Sequence, residues 1–191
     1  MIPRLTPARA FDVLAASALL VVASPILAAA ALLIRVTDGA PVLFRQQRLG
    51  QGRRPFRIIK LRTMAAGAVT PIGRVLRDLG VDELPQLINV MRGEMALVGP
   101  RALTAEDARR VGWGAAAFDL RWTVPPGITG LAQIAPVRRC HARTTWRLDR
   151  RYVLRRSVHG DAAILAASVL VPLLGKGRAR QAARIFAGRR S

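Results

Sequence analysis

Residues 13–34 read VLAASALLVVASPILAAAALLI, 22 positions without a charge and with Ser24-Pro25 near the middle. A straight helix of that length measures about 33 Å, enough for a hydrocarbon core of roughly 30 Å. The run is longer than the apolar part of a cleaved signal peptide, usually about 7–15 residues, and no polar cleavage segment follows it, so it is expected to stay in the mature chain. Pro25 cannot donate to the Val21 carbonyl and its ring presses on that turn. A kink is therefore expected there, with the Ser24 hydroxyl available to a freed carbonyl. Both flanks are basic, with Arg4 and Arg9 before the run and Arg35, Arg45, Arg48, Arg53 and Arg54 after it. By the positive-inside rule both ends prefer the cytoplasm. The residues alone leave two topologies open, a re-entrant helix and a kinked spanning one, with a buried soluble helix a weaker third.

The rest of the chain is long enough for one catalytic domain, and its composition marks no second. Thirty-one Lys and Arg against 11 Asp and Glu give a net charge of +20, suited to nucleic acid, anionic lipid or phosphorylated substrates. A hydrophobic share of 51% excludes a disordered basic tail protein. A nucleic-acid binder would explain the charge but not the apolar run. With three Trp, five Phe and one Tyr the chain also lacks interleaved aromatics for base stacking. The lone Cys140 rules out an intramolecular disulfide and fits a reducing cytosol. Cys140, His141 and His159 have no metal-ligand spacing.

Downstream of the apolar run, residues 42–46 and 56–61 read as short strands separated by the Gly-rich LGQG, a hairpin with arginines at its tip. A small-residue loop, AAGAVTP, leads to a short helix over 72–77. Pro85 is expected in the first turn of the next helix and Gly93 at its end, placing Asp82 and Glu83 at a helix N-terminus. A polar helix is expected over 104–121, a turn-rich segment over 125–130, and helices near 143–156 and 161–174. The 13 apolar residues Ala162–Leu174 are too few to span, and read as core or interfacial. Residues 175–191 carry six basic side chains and no acidic one, a tail able to lie on anionic headgroups.

Asp82-Glu83 opens the stretch DELPQLINVMRGEMALVGPR, residues 82–101. Acidic residues before Leu-Pro commonly begin helices, where the dipole stabilises them. The same placement would keep a carboxylate ionised and so nucleophilic. Two adjacent carboxylates can divide labour, one attacking phosphorus while the other helps hold a divalent cation. Lys60, Arg62, Arg77 and Arg101 flank the pair from separate segments and could take up phosphate charge, although any one of them could equally be a solvated surface charge.

Six ordered blocks resemble the bacterial sugar transferases of the monotopic polyprenyl-phosphate phosphoglycosyl transferase superfamily, in its small form. They are Pro41-Val42-Leu43-Phe44-Arg45-Gln46 with Arg48 and Gly50; Phe56 with Lys60-Leu61-Arg62-Thr63-Met64; Gly73-Arg74 with Arg77; Asp82 to Val90 and Gly93 to Arg101; Pro126-Gly127-Ile128-Thr129-Gly130-Leu131-Ala132-Gln133; and Leu148-Asp149 with Tyr152-Val153. The resemblance implies an α+β, mainly helical protein. Residues 1–36 would form a re-entrant membrane helix broken at Ser24-Pro25, and residues 37–191 a cytosolic domain with a β-hairpin, interfacial helices and a basic tail. It would lie on the bacterial inner membrane, facing the cytoplasm.

The implied reaction is Mg²⁺-dependent: a carboxylate attacks the β-phosphate of a UDP-sugar, UMP leaves, and a polyprenyl phosphate takes the phosphosugar as the first membrane step of glycoconjugate assembly. By position, Asp82 would be the nucleophile and Glu83 would orient the site, both near the metal. Lys60, Arg62, Arg77, Arg101 and, more weakly, Gln133 would contact phosphate or nucleotide. Asp149 is open between substrate contact and structural salt bridge. The resemblance is compatible with a homodimer and implies no nucleic-acid partner. The chain departs from the family pattern in a short Met64–Gly73 connection, in Pro125 where arginine is usual, in Ala102 in place of a proline, and in Ala135-Pro136-Val137-Arg138. Arg138 or Arg139 would stand in for the displaced arginine.

Overall fold

A computed structural model describes residues 6–135 and 142–168. They fall into two compact units, one holding residues up to Gln47 and Phe56–Met95, the other Arg48–Pro55 and the chain from Ala96 on. Arg138, Cys140, His141 and the basic tail lie outside the described residues.

The first unit begins with α1, Pro7–Thr37, capped at its start by the Thr6 hydroxyl. It is long and apolar enough to cross a membrane. The expected break at Ser24-Pro25 does not interrupt it: the helix runs through Pro25, and the Ser24 hydroxyl donates to the Val21 carbonyl at 2.8 Å, the carbonyl that proline leaves without a donor. Large apolar side chains project from it, Leu14, Val21, Val22, Leu32 and Val36 among them. Its other face packs, with Ala30 and Ile34 in a core shared with Leu61 and Leu76 and flanked by Val42, Ile72 and Val81.

The hairpin expected from the β-prone runs is present as β1, Leu43–Leu49, and β2, Pro55–Leu61, with its tip in the second unit. The segment read as a loop is a miniature hairpin, β3 Met64–Ala65 and β4 Ala68–Val69, turning on Ala66 and Gly67 at φ 48° and 79°. Positive φ at both central residues is what a two-residue hairpin needs. The helix α2, Pro71–Leu79, is longer than the sequence suggested because Thr70 caps its start and Gly80, at φ 71°, ends it. Gly73 lets it approach β2's exit: a Cβ there would lie 2.2 Å from the Thr63 carbonyl oxygen.

Asp82 and Glu83 are not in the first turn of an α-helix. They sit in a 3₁₀ turn, Val81–Glu83, and Pro85 is the N-cap of α3, Gln86–Met91. Gly80's left-handed conformation starts a new turn at Val81 before the α-helical repeat is established.

In the second unit β5, Ala96–Val98, pairs in parallel with β6, Gly127–Thr129. Gly99, Gly127 and Gly130 stack there so closely that a Cβ on any of them would lie within 2.6 Å of a backbone atom. The helix expected over 104–121 divides into α4, Ala105–Arg110, and a 3₁₀ stretch, Ala116–Thr123, because Gly112 turns the chain at φ 75°. The short α5, Leu131–Ile134, precedes α6, Ala142–Leu154, and residues 158–168 are helical. Trp113, Trp122, Tyr152 and Ile164 are buried, and the Tyr152 hydroxyl donates to the Val98 carbonyl at 2.9 Å.

Candidate active site

Four of the residues singled out by sequence meet in the first unit. Asp82 is 7% exposed. Beside it Glu83 is partly buried, and its carboxylate accepts from the Lys60 ammonium at 2.5 Å. Lys60 stands on β2 between the buried Ile59 and Leu61, so strand alternation turns its side chain away from the core that Leu61 enters. It is one of only two lysines in a chain otherwise cationic through arginine, the other being Lys176. Arg77 comes from α2, and its Nε donates to the Thr63 hydroxyl at 2.8 Å.

Burial raises the Asp82 carboxyl above its ordinary 3.8, and the Glu83 carboxylate pushes the same way. Lys60, Arg77 and Asp82's own backbone N–H pull it down without offsetting those two. The turn therefore holds the Asp82 carboxyl above its ordinary value, where a helix N-terminus would lower it. Desolvation in a 3₁₀ turn outweighs the dipole of a short helix that begins four residues later. Lys60 and Arg77 act on Asp82 through their fields, since among the described residues their bonded partners are Glu83 and Thr63. The arrangement is a carboxylate near two cations and paired with neither, suited to attack an electrophile that brings its own negative charge.

Arg62 is not part of this group. Its guanidinium donates to the carbonyls of Asp38, Gly39 and Ala40 at 2.6 to 2.7 Å, fastening β2 to the end of α1. Arg101 and Gln133 belong to the second unit. Arg101 is exposed, its backbone bridged to Gly127. Gln133 donates weakly to the Ile128 carbonyl at 3.5 Å, and its own carbonyl oxygen has no partner among the described residues.

Asp149 is resolved as a structural ion pair. Its Oδ2 accepts from Arg121 Nε at 2.8 Å with both side chains almost wholly buried. Arg121 lies over the rings of Trp113 and Trp122 at 5.0 and 4.9 Å, and also donates to the Arg101 carbonyl. Sequence reasoning passed over Arg121; an arginine between two of the chain's three tryptophans was the available signal. It also passed over Gln86, 2% exposed at the start of α3, whose amide nitrogen has no partner among the described residues.

No cluster of three or more His, Cys, Asp or Glu able to hold a metal occurs among the described residues. Two adjacent carboxylates are nevertheless what Mg²⁺ commonly takes from a protein when substrate phosphates and water supply its other ligands. Asp82 and Glu83 fit that pattern.

The profile described as bacterial sugar transferase matches residues 4–175. The UDP-glucose:undecaprenyl-phosphate glucose-1-phosphate transferase of Caulobacter vibrioides is 44% identical over 68% of this chain and 54% of its own length. The exopolysaccharide production protein ExoY of Rhizobium meliloti is 34% identical over 88% of this chain and 86% of its own. The UDP-N-acetylgalactosamine-undecaprenyl-phosphate N-acetylgalactosaminephosphotransferase of Aeromonas hydrophila is 37% identical over 66% of this chain and 33% of its own. The chain thus spans about half of the first relative and a third of the last.

Proposed function

The chain belongs to the bacterial sugar transferase family, and from that premise we propose that it transfers a sugar-1-phosphate from a UDP-sugar to a polyprenyl phosphate. One observation carries the reading: Asp82 is buried between the Lys60–Glu83 pair and Arg77, close to both cations and bonded to neither.

In the first half-reaction an Asp82 carboxylate oxygen attacks the β-phosphorus, the bond to the bridging oxygen breaks, and UMP leaves with that electron pair. In the second, an oxygen of the polyprenyl phosphate attacks the same phosphorus and frees Asp82, giving a polyprenyl diphosphate sugar. Lys60 and Arg77 bind and neutralise the arriving phosphate oxygens, which is the larger part of catalysis in phosphoryl transfer. Lys60 also holds Glu83 in place. Asp82 and Glu83 would hold Mg²⁺, whose chemistry is neutralisation of the diphosphate charge. Arg101 and Gln133 are assigned to the substrate through their place in the motif, and Arg138, outside the described residues, or its neighbour Arg139 as the stand-in for the family's displaced arginine.

The relatives' printed sugars, glucose and N-acetylgalactosamine, differ. A panel of UDP-sugars with detergent-solubilised protein, read by UMP release, identifies the donor. Protein trapped with the donor alone should carry a phosphosugar on the peptide containing Asp82; an adduct elsewhere refutes the mechanism.

The same proposal places the protein on the cytoplasmic face of the inner membrane with α1 re-entrant. Both ends of α1 are tied to the unit that holds Asp82. Arg9 donates to the Val90, Met91 and Met95 carbonyls, and Arg62 to those just after the helix. A helix with its termini on opposite faces of a bilayer roughly 30 Å thick would separate those anchors. The helix α2 exposes Val75 and Leu79, an apolar edge suited to the interface, and anionic lipids are the expected neighbours of the basic tail. Cysteines at Thr6 and Thr37, in a Cys140→Ser background, should both be labelled from the cytoplasmic side alone. Labelling of position 6 from the far side would establish a spanning helix.

A further inference from the structure

Asn89 is wholly buried on α3, and its carboxamide makes three hydrogen bonds. Its Oδ1 accepts the Ile59 N–H at 3.0 Å, and its Nδ2 donates to the Arg57 carbonyl at 2.8 Å and to Glu94 Oε2 at 2.6 Å. Among the described residues β2 has a strand partner on one edge alone, β1. On β2 the Asn89 amide does what a neighbouring strand would do, accepting from one residue and donating to the residue two before it. Glu94 takes the remaining N–H and so fixes which end of the amide faces the strand.

We propose that Asn89 is a positioning residue that acts through Lys60, a reading that rests on the proposed transferase site. Lys60 directly follows Ile59, so the bond that holds the Ile59 N–H sets how far along and which way up the next side chain emerges. A one-residue slip of β2 would turn Lys60 to the opposite face and break its bond to Glu83. Asn89 and the acid pair belong to one short run of chain, with Glu83 three residues before α3 and Asn89 within it. One short run of chain, the 3₁₀ turn followed by α3, therefore carries the carboxylates and measures out the strand that brings them their cation. An apolar residue of similar volume would fill the space but leave a buried N–H and a carbonyl without partners.

The test uses the full chain and exploits its two lysines. With an amine-acetylating reagent and mass spectrometry, labelling of Lys60 relative to Lys176 should rise about fivefold or more in Asn89→Ala, because local opening of β2 exposes the ammonium. An unchanged ratio overturns the proposal. Asn89→Asp should raise the ratio as well. The carboxylate still accepts the Ile59 N–H but cannot donate to the Arg57 carbonyl; this arm decides the matter if Asn89→Ala does not fold, and an unchanged ratio in it counts against the assignment.

Kinetics then separate positioning from general stability. In folded protein Asn89→Ala should lower kcat/KM for UMP release roughly tenfold or more when Lys60 is present, and less than about twofold in a Lys60→Met background, since residues acting through one another are not additive. Equal losses in both backgrounds would mean that Asn89 supports the fold at large. If wild-type protein released no UMP from any UDP-sugar, the transferase reading would fail, while the labelling ratio would still decide the role of Asn89.

Discussion

Asp82 in the first unit and Asp149 in the second are both buried carboxylic acids raised by desolvation above their ordinary 3.8, yet their neighbours are bonded differently. Asp149 faces Arg121 in a closed box: the guanidinium is bonded to the acid, roofed by two indole rings, and fastened to a backbone carbonyl. Asp82 has cations near it whose bonds go to other partners. A raised carboxyl is therefore not in itself a sign of catalysis. What separates the two is where the neighbouring hydrogen bonds go: Arg121 is bonded to Asp149 itself, whereas Lys60 and Arg77 are bonded to Glu83 and Thr63.

The sharpest way to break this contrast is to neutralise each acid's charge relations in turn. Asp82→Asn keeps size and polarity but removes the attacking anion. It should lower UMP release by a factor on the order of 10³ or more while leaving the denaturation midpoint near wild type. Turnover persisting in that variant would take the nucleophile's role from Asp82. Arg121→Met leaves Asp149 buried without its partner and should cost about 3–5 kcal/mol in denaturant unfolding, most of it regained in Arg121→Met/Asp149→Leu. A variant as stable as wild type would mean the box is not a structural element.

A smaller effect is expected at Gly73, where Ala would press against the Thr63 carbonyl. Overpacking of this kind typically costs about 1–3 kcal/mol. Because Arg77 on the same helix is held by Thr63, UMP release per folded molecule should fall too; a stability loss with full activity would detach Arg77 from the site.

The smallest effect is one of pH. Attack needs ionised Asp82, whose folded value is raised, so the acidic limb of UMP release should lie above the ordinary aspartate range. Lys60 lowers that value, and in Lys60→Met the limb of the residual rate should move further up. A limb that stays put would show that Lys60 does not act on Asp82. For stability the sign is opposite: an acid that holds its proton more tightly when folded contributes most below pH 3.8, and that contribution is lost as pH rises through the folded value.

Much of the fold was legible because it is written at short range. The hairpin over 43–61, the stop at Gly93 and the Ser24-Pro25 step with its hydroxyl repair all follow from neighbouring residues, whereas the Thr70 cap and the Gly80 stop, equally local, went unread and left the helix drawn over 72–77 too short. The polar helix drawn over 104–121 was too long because Gly112 was not given its weight as a stop, although its left-handed turn is also a local matter. The site was half legible. The acid pair and the motif's cations could be named, but nothing in the order of residues says that Arg62 is bonded to the end of α1 while Lys60, two positions earlier, reaches Glu83.

By itself the sequence determined the elements, the membrane-length helix, the acid pair and the family, all of which rest on periodicity, caps and ordered motifs. Tertiary structure alone decided which acid is paired with a cation and which has cations near it bonded elsewhere. Lys60 and Glu83 are 23 residues apart, Arg121 and Asp149 are 28 apart, and Asn89 lies 30 from Ile59. Desolvation and hydrogen bonding depend on what surrounds a group in space, and at those separations only the folded chain brings the surroundings together.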